Sequence, residues 1–203
     1  MLLKTFKGLV GNMQSYTNNY VVYDDKTREG ILIDVSNDVD KIYDFIENSQ
    51  IHLKYIVLTH CHGDHTDGIK ELRRMYPSAK IVIHEEDSFG LTNDEISGCT
   101  AIGRESNFIE ADIALKDGDV IKFGEISAKI IHTPGHTAGS ISILIEDALF
   151  SGDTLFKGTT GRVDLPTGDK WNMKSSIEKL LKLPENTIVY PGHGYSTIIA
   201  DEK

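Results

Sequence analysis

The chain is poor in cysteine, with two thiols, Cys61 and Cys99, among 203 residues. That excludes a disulfide scaffold, and two isolated thiols suit a reducing compartment. No apolar run approaches the roughly 20 residues that a membrane-spanning helix needs. The opening Met-Leu-Leu-Lys-Thr-Phe-Lys-Gly lacks the apolar core and small-residue cleavage site of a secretory signal. The expectation is a cytoplasmic protein with no membrane partner. Positive charge is also scarce, 21 Lys and Arg against 31 Asp and Glu, for a net charge of −10. Nucleic-acid binding draws on basic patches that release counterions, so no nucleic-acid partner is expected. There is no internal repeat, low-complexity tract or Pro/Ser-rich linker, so residues 1–203 read as a single domain. Apolar residues at 39% and charged residues at 26% fit a globular chain able to bury a core.

What is present is a succession of short β-rich and helical segments. Residues 2–6, 19–24 and 30–35 read as strands, the last two rich in β-branched and aromatic side chains. Ser36 is placed to cap a helix running to about Glu47, with Val39, Ile42, Tyr43 and Ile46 on its inner face. Tyr55–Leu58 and Lys80–Ile83 read as buried strands, and Thr66–Tyr76 as a helix between them. Residues 84–109 suggest a short helix near 85–90 and a mobile segment around 98–103. From 119 to 150 strands alternate with turns at Phe123-Gly124-Glu125 and Glu146-Asp147; a helix over 171–182 and a strand over 187–190 follow. Two sheets covered outside by helices would satisfy this pattern.

Four loops at strand ends carry metal-binding side chains. Thr59-His60-Cys61-His62-Gly63-Asp64-His65 packs three imidazoles and a carboxylate into six residues, and so tight a loop can feed two metals. His136 follows Pro134-Gly135, Asp153 follows Ser151-Gly152, and His193 follows Pro191-Gly192. Asp153 has two oxygens and can bridge two ions. Structural zinc sites favour cysteine and a closed shell. A His and Asp set spread over four loops suits an open, catalytic site instead. The bland reading, a surface or core histidine near a glycine, suits any one of these residues alone but not the set. Cys61 reads as packing between ligands, His52, His84 and His132 as surface or strand residues, and Trp171 as a packing residue at the head of its helix.

These motifs, in this order and spacing, resemble the metallo-β-lactamase-fold hydrolases over nearly the whole chain. The resemblance implies an α+β fold, a four-layer αββα sandwich with the site at one edge. It implies that His60, His62 and His136 hold one metal, that Asp64, His65 and His193 hold a second, and that Asp153 bridges them. Zinc is the first expectation, with iron or manganese as alternatives. Asp34 matches an acid that steadies the histidine loop without being a ligand. The β-lactamases of the family tend to carry Cys or Ser where Asp153 stands, which argues against antibiotic hydrolysis. The stretch Ser151–Asp164, with Gly161-Arg-Val-Asp164, looks most like the glyoxalase II group, in the short form without a C-terminal helical domain.

The function so implied is hydrolysis of a small-molecule thioester such as S-lactoylglutathione by a monomer or homodimer. A metal-activated water attacks the thioester carbonyl, and Asp64 or Asp153 shuttles the proton. Lys157 and Arg162 could hold an anionic substrate tail, although Asp164 stands where the long enzymes carry a tyrosine. Persulfide dioxygenases share the histidine loop and a similar Gly-Arg stretch. They provide the alternative, a single iron held by residues matching His60, His136 and Asp153. A non-catalytic binding module is a third reading, which the full ligand set disfavours.

Overall fold

The computed structural model describes residues 1–10, 15–37 and 39–203. The first sheet is laid down in chain order, β1 (Leu2–Leu9), β2 (Tyr16–Tyr23), β3 (Glu29–Ile33), β4 (His52–Val57), β5 (Lys80–His84) and β6 (Ile113–Leu115). It is antiparallel from β1 to β3 and parallel from β3 to β6. The crossovers carry α1 (Val39–Asn48), α2 (Gly63–Thr66), α3 (Ile69–Met75), α4 (Glu85–Ser88) and α5 (Asp94–Ser97). The second sheet begins with a meander of β7 (Val120–Phe123), β8 (Ile126–His132), β9 (Ile141–Ile145) and β10 (Ala148–Gly152). A small hairpin, β11 (Leu155–Phe156) with β12 (Thr159–Thr160), and the helix α6 (Lys170–Leu180) precede β13 (Ile188–Pro191) and β14 (Thr197–Ile198). β13 pairs parallel to β10, so the chain returns to the middle of the sheet.

Side-chain alternation along the strands separates the layers. On β3, Ile31 and Ile33 pack between the sheets while Leu32 packs outward with Val39, Ile42 and Ile46 of α1. On β10, Ala148 and Phe150 face the first sheet while Leu149 meets Leu180 of α6. Three apolar cores therefore lie between four layers, helix, sheet, sheet, helix, and the fold is the αββα sandwich of the metallo-β-lactamase type. Among the described residues, no helix is long and apolar enough to cross a membrane.

Local departures from the sequence reading have physical causes. The helix expected over 66–76 is split into α2 and α3, because residue 35 docks at the break. Val35 N donates to His65 O at 2.9 Å and Gly68 N donates to Val35 O at 3.2 Å. A Cβ at Gly68 would sit 2.5 Å from Ser36 O, so this approach needs glycine. α1 begins at Val39, and the Ser36 hydroxyl accepts from Asn19 Nδ2 at 2.7 Å. Asp38, just before α1, lies outside the described residues. Asp169 caps α6 by accepting from Trp171 N and Asn172 N. Trp171 itself stands 66% exposed rather than packed.

Candidate metal centre

All four ligand loops leave the same edge of the sandwich. The 59–65 loop follows β4, His136 lies between β8 and β9, Asp153 follows β10, and His193 follows β13. Their donor atoms form overlapping triads, His60/His62/His136, His60/His65/Asp153 and Asp64/His65/His193, each within 4.8 Å. His62 Nδ1 and His136 Nε2 face each other at 2.9 Å, and His65 Nε2 and His193 Nε2 at 3.3 Å. The Asp153 carboxylate lies between the triads. Its Oδ1 is 3.4 Å from His65 Nε2, and its Oδ2 is 3.5 Å from His136 Nε2 and 3.3 Å from His193 Nε2. Asp64 Oδ2 reaches His193 Nε2 at 3.2 Å. Gly192 is required beside it, because a Cβ there would collide with Asp153 Oδ1 and the His65 ring.

The outer faces of the imidazoles are tied down, which leaves the inner nitrogens free for a cation. His65 Nδ1 meets Asp34 Oδ2 at 2.8 Å, His136 Nδ1 meets Arg162 O at 2.8 Å, and His193 Nδ1 meets Tyr16 O at 2.8 Å. His60 Nδ1 lies 3.1 Å from Thr59 Oγ1. Asp34 also accepts from Thr59 N and Thr59 Oγ1, both at 2.8 Å, and so couples His65 to the start of the loop. Buried His60 Nε2, His62 Nε2 and Asp153 Oδ1 have no hydrogen-bond partner. Buried polar atoms are rarely left so, and a cation would satisfy this group. Imidazole with carboxylate is the donor chemistry of zinc, iron and related divalent metals.

The electrostatics agree. Burial, reinforced by the neighbouring imidazoles, drives His60 well below the usual histidine range and takes His62 down to about 4. Burial also opposes charge on His65 and His193, but the facing carboxylates outweigh it. His65 is held well above its ordinary value and His193 is raised to about 10. Burial would lift both acids; the His65 and His193 cations prevail, holding Asp153 far below the usual carboxylate range and Asp64 at about 2. In the metal-free chain, protons on two histidines thus offset two carboxylates. A metal binding there displaces them.

A cavity of about 580 Å³ opens over this cluster. Asp64, His136, Asp153 and His193 line it, with Ile96, Ile102, Phe156 and Leu165. Arg162 also lines it, its guanidinium gripped by Asp164 through Nε and Nη2, each at 2.7 Å. Lys157 stands exposed in the β11–β12 turn and does not line the cavity. His84 and His132, read in sequence as surface or strand residues, stack 3.9 Å apart with Glu86 nearby.

The family model that matches residues 14–193 is the metallo-beta-lactamase superfamily. The chain belongs to it. Within that superfamily, an uncharacterized protein of Aquifex aeolicus is 36% identical over 92% of this chain and 88% of its own length. Hydroxyacylglutathione hydrolase GloC of Haemophilus influenzae is 30% identical over 92% of this chain and 89% of its own length. The mitochondrial persulfide dioxygenase ETHE1 of Bos taurus is 32% identical over 90% of this chain, which spans 65% of that protein. Among solved structures, the BLEG-1 B3 metallo-beta-lactamase aligns with a TM-score of 0.88 at 32% identity, over 99% of this chain and 96% of its own. TTHA1623, in a di-iron-bound form, aligns at 0.83 and 28% identity over 95% of both chains. As a member of this superfamily the chain carries a metallo-hydrolase fold with a His and Asp cluster suited to divalent metals.

One residue beside the cluster that sequence reading missed is Asp87, at the third position of α4. It is buried, its Oδ2 accepting from Cys61 N at 2.9 Å and Thr137 Oγ1 at 2.7 Å, its Oδ1 from Gly139 N at 2.7 Å. It therefore ties the His60–His62 loop to the His136 loop, as Asp34 ties His65 to Thr59. The cavity wall from Glu95 to Ile102 was also not predicted. Its apolar residues are too sparse for a periodic signal, the one cue being Gly98, which ends α5 in a left-handed conformation.

Proposed function

We propose that this protein is a metal-dependent hydrolase of small-molecule thioesters, with His60, His62 and His136 holding one divalent metal and Asp64, His65 and His193 a second. The observation that carries the reading is the Asp153 carboxylate set between the two triads at the floor of an open cavity. Zinc is the first candidate, with iron or manganese as alternatives. Bound there, such metals would lower the pKa of water toward neutrality and polarise a carbonyl oxygen. Asp64 and Asp153 line the cavity, and in this reading either would take the proton released as water attacks the carbonyl and pass it to the departing thiolate. A thiol with a pKa of about 8.5 leaves readily, so the site needs no stronger acid. The similarity to hydroxyacylglutathione hydrolases supports thioesters as the substrate class.

A second reading rests on a specific feature. His60, His136 and Asp153 make a two-histidine, one-carboxylate set, which suits a single oxygen-activating iron, and a persulfide dioxygenase is among the relatives. The deciding experiment is metal analysis of the purified protein with a panel of S-lactoylglutathione, glutathione persulfide under oxygen, and a cephalosporin. Thioester turnover with two metals per chain supports the proposal. Oxygen uptake with one iron per chain replaces it by the second reading, and cephalosporin turnover alone overturns both.

A further inference from the structure

The cavity over the metal cluster is divided by character. Ile96, Ile102, Phe156, Leu165 and Pro166 make up an apolar share of its lining, with the Phe156 ring 6.1 Å from that of His193. Among the described residues that line it, no lysine occurs and the one arginine is Arg162. Asp164 already holds that guanidinium in a bidentate pair at 2.7 Å through Nε and Nη2. Glu95 adds an acid to the same lining. The whole chain carries a net charge of −10. A thiol carrier with two carboxylates, such as glutathione, would find a single cationic side chain in this lining, already paired with Asp164. An apolar acyl chain or ring would find a surface that gains from being covered.

We infer that the substrate is a thioester with an apolar acyl group on a carrier that bears no carboxylate near the scissile bond, and that the Ile96–Ile102 wall receives the acyl group. This rests on the thioesterase reading above and narrows it. Selectivity comes from the wall: each buried methylene should improve apparent affinity about three- to fourfold, while each carboxylate on the carrier should weaken it.

The test has two arms, with the metal-replete full chain in both. In the first, kcat/KM is measured for N-acetylcysteamine thioesters with acetyl, butyryl and hexanoyl groups, and for S-lactoylglutathione. The expected result is a rise with acyl length and at least a tenfold preference for S-hexanoyl-N-acetylcysteamine over S-lactoylglutathione. Ile102→Ser should flatten the length dependence, lowering kcat/KM for the hexanoyl thioester several-fold more than for the acetyl one. In the second, binding of two non-hydrolysable thioethers, S-hexyl-N-acetylcysteamine and S-hexylglutathione, is compared by calorimetry. The uncharged carrier should bind at least several-fold more tightly. Equal or tighter binding of S-hexylglutathione, or a preference for S-lactoylglutathione in turnover, overturns the inference. If no thioester is hydrolysed, the thioesterase reading fails, and the binding arm still decides what the cavity prefers.

Discussion

Replacing Asp87 with alanine separates the brace from the ligands. The side chain is 2% exposed and accepts three hydrogen bonds of 2.7 to 2.9 Å. Thr137 Oγ1 keeps a partner after the change, because Ser140 Oγ lies 2.7 Å away. Cys61 N and Gly139 N do not: among the described contacts, the Asp87 carboxylate is their acceptor. Two buried N–H groups without acceptors cost about 1–3 kcal/mol each. Relief from burying a carboxylate offsets part of this, which leaves a destabilisation of about 2–4 kcal/mol. The larger effect should fall on the metal. Cys61 lies between two ligands and Thr137 follows a third, so all three histidines of the first triad lose their alignment. Loss of an outer-shell brace lowers metal affinity about 10–100-fold. The assay is chelator competition with urea denaturation, on metal-free and metal-replete protein. The variant should release its first equivalent of metal to a weaker chelator while His65, His193 and Asp64 retain the second. Asp87→Ala protein with wild-type release curves for both equivalents would refute the bracing role, whatever its stability.

Asp153→Ala should weaken both equivalents together and cut turnover by orders of magnitude; variant protein that keeps two metals at near-wild-type turnover would show that Asp153 does not bridge. The metal-free chain should lose stability as pH rises. His193 is raised to about 10, above its ordinary 6.5, so its stabilising proton is fully in place below about 6.5 and lost on passing 10. Urea midpoints of metal-free protein should therefore fall between pH 7 and 10, and a flat profile would contradict the charge arrangement.

The candidate metal cluster was legible because metal chemistry writes itself locally. His60-x-His62-x-Asp64-His65 holds four donors in six residues, and the other three each follow a glycine at a strand end. The two helix-covered sheets were legible in the succession of strands and helices, and the four-layer order in the family resemblance; β3 and β10 are buried on both faces and carry no polar alternation that would tell one face from the other. The brace at Asp87 was not legible, since its partners lie 26, 50 and 52 residues away and nothing in the local sequence marks them. The break between α2 and α3 was hidden for the same reason: residues 66–76 look like one helix until Val35 docks against Gly68. Arg162 was visible as a cation near the site, and its pairing with Asp164, two residues on, is set by how the loop after β12 turns.

The most direct test of the two-metal thioesterase account is metal stoichiometry measured on the same sample as activity. Protein equilibrated with zinc, freed of loose metal and titrated with a chelator should carry two equivalents per chain, and thioester turnover should fall as they are withdrawn. A ceiling of one equivalent, or thioester turnover that survives complete removal of metal, would contradict it.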